Sequence, residues 1–183
     1  MITLSLGKRV TGIAALSIAA FLLFLSWWVR NKDKIRKKLP VRLEEWEEIE
    51  DETYRFINSF EREEDLKERP YIGAIMFMVA IGFTLLVFPE TAAILAFIII
   101  SISDSASTLV GIHLGVTDLP HNRDKSFEGS SAFFLTSITL ALLFTSPLNS
   151  AIIALGGAFA ESLPRVDDNF SVPITVALLF IIL

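Results

Sequence analysis

Six apolar stretches run along the chain, at about Gly12 to Val29, Tyr71 to Phe88, Thr91 to Leu114, Ser131 to Thr145, Asn149 to Leu163 and Ser171 to Leu183. A helix crosses a bilayer with about 20 residues, and about 17 is the lower limit. The last three stretches are therefore short, and short or proline-interrupted spans are tolerated where they pack inside a bundle or line a cavity. The pattern predicts an all-α integral membrane protein, a polytopic bundle of about six transmembrane helices. Pro89-Glu90 and Ser146-Pro147-Leu148 read as tight turns, so the helices flanking each are expected to be antiparallel neighbours.

The polar stretches sort by side. Lys8 and Arg9 precede the first span, but its apolar run is longer than a signal core and no A-x-A-like site follows, so it is expected to be retained. Trp27-Trp28 reads as an interfacial anchor, and seven Lys and Arg residues between Arg30 and Arg42 place that end in the cytoplasm. Counting spans from there puts segments 30–70, 115–130 and 164–170 on the cytoplasmic face. Leu39, Leu43, Trp46, Ile49, Ile57 and Phe60 recur at near-helical spacing among glutamates, which predicts one amphipathic cytoplasmic helix over 39–60. The organisation expected is an N-terminal membrane helix (1–29), a charged cytoplasmic linker (30–70) and a membrane-embedded core (71–183).

Composition narrows the classes. The 183 residues are 52% apolar with a mean hydropathy of +0.57, too apolar for an ordinary soluble core. The absence of cysteine excludes disulfides, thiolate metal sites and a cysteine nucleophile. The net charge of -5 leaves no basic face beyond the Arg30 to Arg42 patch, which argues against a nucleic-acid partner.

Three polar clusters interrupt this background. An aspartate near the middle of a membrane helix costs roughly 2.5 to 3.5 kcal/mol on insertion scales, so Asp104 points to function. On a helix, Asp104, Thr108, Gly111 and Gly115 share one face. The small residues leave room for a ligand, and the acid is a hard oxygen donor of the kind Mg²⁺ prefers; the same Gly111-x-x-x-Gly115 spacing also fits plain helix packing. The second cluster spans His121, Arg123, Asp124, Lys125, Ser126, Glu128 and Gly129. A lysine beside hydroxyls and a flexible glycine can cradle phosphate oxygens, while Glu128 can hold a metal or orient Lys125. Arg123 and His121 read as topology determinants, and no Walker A or kinase glycine-rich loop is present. The third cluster is Glu161-Ser-Leu-Pro-Arg165-Val-Asp167-Asp168-Asn169, where Pro164 is expected to end a helix and leave Asp167, Asp168 and Asn169 in a short turn before Pro173.

Taken together, S-D-S-A-S-T-L-V-G (103 to 111), K-S-F-E-G-S (125 to 130) and E-S-L-P-x-x-D-D-N-F-S-V-P (161 to 173) resemble the CTP-dependent lipid-alcohol kinases: dolichol kinase, phytol and farnesol kinases and the fungal type of diacylglycerol kinase. The resemblance covers roughly residues 71 to 183. It implies a membrane enzyme that uses CTP and Mg²⁺ to phosphorylate the hydroxyl of a membrane lipid alcohol, with its active site on the cytoplasmic side. By position, Asp104 matches the motif aspartate, Lys125 and Glu128 the K-S-x-E-G element, and Asp167, Asp168 and Asn169 the D-D-N element. The resemblance then implies catalytic roles for Asp104, Lys125, Glu128 and Asp168. Nucleotide contacts fall to Thr108, Gly111, Gly115, Lys125, Ser126, Gly129, Ser130 and Asn169, and metal contacts to Asp104, Glu128, Asp167 and Asp168. The chain departs from the pattern at Ile112 and His113, where relatives carry a basic residue, and at Lys8-Arg9, which no histidine follows.

Two other readings use the same residues. Phosphatidate cytidylyltransferases have a similar K-x-x-E-G-like element and transfer CMP to a lipid phosphate; the D-D-N-x-x-V-P ending favours the kinase. A transporter or non-catalytic bundle subunit would place its ionisable residues near the midplane between repeats.

Overall fold

The computed structural model describes residues 2–36 and 70–183, and the amphipathic helix expected over 39–60 lies outside them. Six helices are present among the described residues: α1 (Ile2–Arg36), α2 (Ile72–Val87), α3 (Glu90–Leu114), α4 (Phe127–Ala141), α5 (Pro147–Ser162) and α6 (Asp168–Ile182). Between α3 and α4 lies a feature the hydropathy pattern did not predict. β1 (Asp118–Leu119) and β2 (Asn122–Ser126) form a small antiparallel hairpin where a plain loop was expected.

Helices α3, α4, α5 and α6 pack as a ring, each against the next; α2 lies against α6 and α3, and α1 packs on α2. Fully buried Leu95 and Ile99 of α3, Phe133 of α4, Ile153 of α5 and Val172 and Val176 of α6 fill the ring. Small residues set the close approaches. A Cβ on Gly82 would lie 2.7 Å from the Leu16 side chain and 3.0 Å from the Gly12 carbonyl, so α1 and α2 cross nearly backbone to backbone there.

Two helices, Leu6–Asn31 within α1 and α3, are long and apolar enough to cross a membrane, and α2 and α6 are shorter apolar helices. Large apolar side chains such as Leu109, Leu135, Leu143, Leu155 and Phe159 face outward. A helical membrane protein accounts for both observations, because lipid rather than water meets those side chains.

The ends of the bundle differ. At one end Lys8 donates to the Phe88 carbonyl beside the Pro89 turn, and Asn149 Nδ2 donates to the Leu183 carbonyl (3.2 Å). At the other end the hairpin meets the α5–α6 turn: Asn122 Nδ2 donates to the Ser162 carbonyl (3.2 Å). The start of α2 joins them there, since Gly73 lies against the Asn169 side chain. Because α1 runs antiparallel to α2, its Arg30 end emerges on this same, polar end.

Candidate functional site

Each residue of the K-S-F-E-G element has its own task. Ser126 caps α4, its Oγ accepting from the Gly129 amide at 3.1 Å. Glu128 Oε2 accepts from the Val116 and Thr117 amides at 3.2 and 3.3 Å and so ties down the end of α3. Its own backbone amide and those two amides hold its carboxyl below the ordinary glutamate range. Gly129 lets α4 rest on α3: a Cβ there would lie 3.0 Å from the Ser107 carbonyl and 3.4 Å from Gly111 Cα. The preceding Lys125, on β2, is thereby aimed into the end of the bundle.

There Lys125 Nζ meets Glu161 Oε1 at 2.6 Å and Asp168 Oδ2 at 2.8 Å. Burial disfavours the ammonium, but the charges of and hydrogen bonds to Asp168 and Glu161 outweigh it, raising the lysine above its ordinary value. Glu161 is only 1% exposed. Its Oε1 also accepts from Ser107 Oγ (3.0 Å) and its Oε2 from Ser130 Oγ (3.3 Å), so α3, α4 and the hairpin all converge on this carboxylate of α5. Asp104 joins from α3, with carboxylate oxygens of Asp104, Glu161 and Asp168 within 4.8 Å of one another.

The D-D-N segment is helical rather than a turn before Pro173. Asp167 caps α6, accepting from the Asn169 amide at 3.0 Å, and Asp168 and Asn169 begin the helix, with Pro173 inside it. The chain reaches that cap through Arg165, whose φ of 69° is left-handed. Placed in the first turn, Asp168 faces Lys125.

Of the residues singled out by sequence, Asp104, Lys125 and Asp168 come together. Thr108, Gly111, Gly115, Lys125, Ser126 and Gly129 line a polar cavity of about 240 Å³ beside them, which Arg123 and Asp124 also border. Ser130 touches the cluster through Glu161, Asn169 lies toward Gly73, and Glu128 and Asp167 bind backbone amides. Glu161 belongs to the third polar cluster of the sequence, where spacing alone marks no role for it. Its signal was a carboxylate inside the Asn149 to Leu163 apolar stretch, the same anomaly that marked Asp104.

Asp104, Glu161 and Asp168 offer three hard oxygen donors, a set whose chemistry fits a divalent cation such as Mg²⁺. Lys125 supplies the neutralising charge to two of them, so cation and lysine would compete for the same carboxylates.

No family model and no solved structure matches the chain. Among curated proteins, a stretch of 89 residues is 37% identical to "Probable phytol kinase 3, chloroplastic" of Glycine max, covering 39% of this chain and 28% of that one. A stretch of 92 residues is 34% identical to "Farnesol kinase, chloroplastic" of Arabidopsis thaliana, covering 41% and 30%. An uncharacterized protein of Rickettsia prowazekii is 30% identical over 119 residues, covering 58% and 56%. The matches thus span from 28% to 56% of these relatives' own lengths. Through proteins named phytol kinase and farnesol kinase, the similarity supports the kinase family that the three motifs resemble.

Proposed function

We propose that this protein phosphorylates the hydroxyl of a membrane lipid alcohol, with CTP as donor, at the end of the bundle where Lys125 meets Glu161 and Asp168. The observation that carries the reading is this ion cluster opening onto a polar cavity lined by Thr108, Gly111, Gly115, Ser126 and Gly129. Phosphoryl transfer needs charge neutralisation on the polyphosphate, in-line placement of the hydroxyl and an acceptor for its proton. The polar cavity takes the phosphates, against the Lys125 ammonium. Asp104, Glu161 and Asp168 would hold Mg²⁺, which when bound neutralises phosphate charge. The alcohol oxygen bonds to the terminal phosphorus as its bond to the bridging oxygen breaks; the nucleoside diphosphate leaves, and Asp104 or Asp168 takes the hydroxyl proton. Relatives named for phytol and farnesol support a long-chain alcohol as the acceptor, with polyprenol, dolichol and diacylglycerol as further candidates.

In this reading all six helices cross the membrane, with segments 30–70, 115–130 and 164–170, and so the first turns of α4 and α6, on its cytoplasmic face. The basic run that begins at Arg30, in the last turns of α1, orients the polar end, and the site with it, toward the cytoplasm.

The test is to incubate purified protein and Mg²⁺ with CTP labelled on its terminal phosphate, in parallel with each alcohol and with a lipid phosphate. Label moving into extracted lipid supports the kinase. Label appearing instead in released pyrophosphate, with the CMP moiety found on a lipid phosphate, identifies a cytidylyltransferase. If the protein binds no CTP and transfers neither group, the enzymatic reading falls.

A further inference from the structure

A second cavity, of about 520 Å³, lies on the outer side between α4 and α5, and nothing in the site described so far uses it. Its walls are apolar, formed by Phe127, Phe134, Leu135, Leu155 and Phe159. Its polar groups gather near the hairpin, where His121, Ser130 and Ser162 stand. From Phe127 to Leu135 it follows eight residues of α4, about 12 Å at ~1.5 Å per residue. Leu135, Leu155 and Phe159 are 60, 59 and 65% exposed, so the groove is open along its length.

Ser130 belongs to both sides. It lines the groove, and its hydroxyl donates to Glu161 Oε2, while Glu161 Oε1 holds Lys125, which borders the polar cavity. One buried carboxylate therefore links a residue at the polar end of the apolar groove to a residue on the edge of the polar cavity. His121 stands at the same end, its Nε2 3.1 Å from Ser162 Oγ, while the Ser162 hydroxyl also bonds the Phe159 carbonyl (2.8 Å).

We propose that this groove binds the hydrocarbon chain of a long-chain primary alcohol, with its hydroxyl at the polar end where Ser130 touches the Glu161–Lys125 pair. The inference rests on the kinase reading and adds to it where the acceptor lies. An amphiphile with one polar end matches a groove that is polar at one end only. A second copy of the chain matches less well, because a protein face would cover the open groove without placing a polar group at its recessed end. Since the groove is open, longer chains run on into the surrounding lipid. Chain length should thus improve binding until the groove is filled and change it little afterwards.

The experiment is photolabelling of the full chain in lipid nanodiscs with a diazirine-bearing long-chain alcohol, with labelled peptides mapped by mass spectrometry. Label is expected in the segments 127–135 and 155–162, and Leu155→Trp should reduce it about tenfold and raise the KM for the alcohol similarly, while CTP binding, which reports an intact fold, stays unchanged. Val10→Trp, on the exposed face of α1, should leave labelling as it is. Label spread evenly over the outward-facing helices overturns the proposal. So does equal labelling by the same probe lacking its hydroxyl, which would mean an adventitious membrane lipid only. Hydroxyl-dependent labelling without any phosphate transfer would keep the groove and remove the kinase reading; phosphate transfer with label elsewhere would do the reverse.

Discussion

Lys125 Nζ lies 2.6 Å from Oε1 of Glu161, a carboxylate whose side chain is wholly shielded from solvent. Removing one partner of such a pair leaves the other buried and uncompensated, at about 3 to 5 kcal/mol. Lys125→Met should therefore destabilise the bundle markedly, as a fall in the midpoint of thermal unfolding in detergent. Lys125→Met combined with Glu161→Gln removes both charges and keeps an amide that Ser107 and Ser130 can bond. The double variant should regain most of the lost stability and yet transfer no phosphate, which separates the structural from the chemical task of the pair.

The same contact sets a pH dependence. Burial works against the Lys125 ammonium, but Asp168 and Glu161 raise its pKa above the ordinary lysine value. A group whose folded pKa is raised stabilises fully below its unfolded pKa and loses that contribution as pH rises through the folded value. The contribution is thus complete at neutrality and is lost only at strongly alkaline pH. Unfolding midpoints followed from neutrality to about pH 12 should fall more steeply for the wild type than for Lys125→Met.

Hydropathy located the helices because burial and lipid contact both demand apolar runs, but it located their ends poorly. The fourth stretch was expected to start at Ser131 and α4 begins at Phe127; the sixth was expected at Ser171 and α6 begins at Asp168. In both cases the missing turn is polar and is fixed by a capping side chain, Ser126 or Asp167, which an apolar count does not register. Those turns carry Glu128 and Asp168, so the error fell on the site itself. Asp104 and Lys125 stood out as charges beside apolar sequence. Glu161 was equally anomalous, yet its place at the centre follows from packing α5 against α3 and α4, a long-range contact that no local spacing encodes. The hairpin leaves no mark in the hydropathy pattern because Asn122 to Ser126 is polar and short.

Glu128 makes a separate prediction, since its carboxylate serves the Val116 and Thr117 amides. Its pKa is lowered, so the contribution is present above the ordinary glutamate value and is lost as pH falls through the lowered one. Glu128→Gln should weaken those two bonds at neutral pH. Hydrogen-exchange protection, taken against the intrinsic rate at each pH, should then fall at residues 116 and 117, and the wild type should lose the same protection only in acid.

Two glycines near the site should respond oppositely to alanine. At Gly73 a Cβ would sit 3.5 Å from Asn169 Nδ2, an ordinary contact, and alanine gains up to about 1 kcal/mol of helix propensity. At Gly129 the Cβ would meet the Ser107 carbonyl at 3.0 Å and the capping Ser126 Oγ at 3.2 Å. Neither is the free end of a flexible side chain, so α4 must move away from α3, at about 1 to 3 kcal/mol. That movement carries Ser126 and the adjoining Lys125 with it and loosens the contact with Glu161. Gly129→Ala should lower both the unfolding midpoint and kcat/KM, the latter by tenfold or more, whereas Gly73→Ala should leave kcat/KM within about twofold of wild type. Equal activity in the two variants would mean that the α3–α4 crossing does not position Lys125 for transfer.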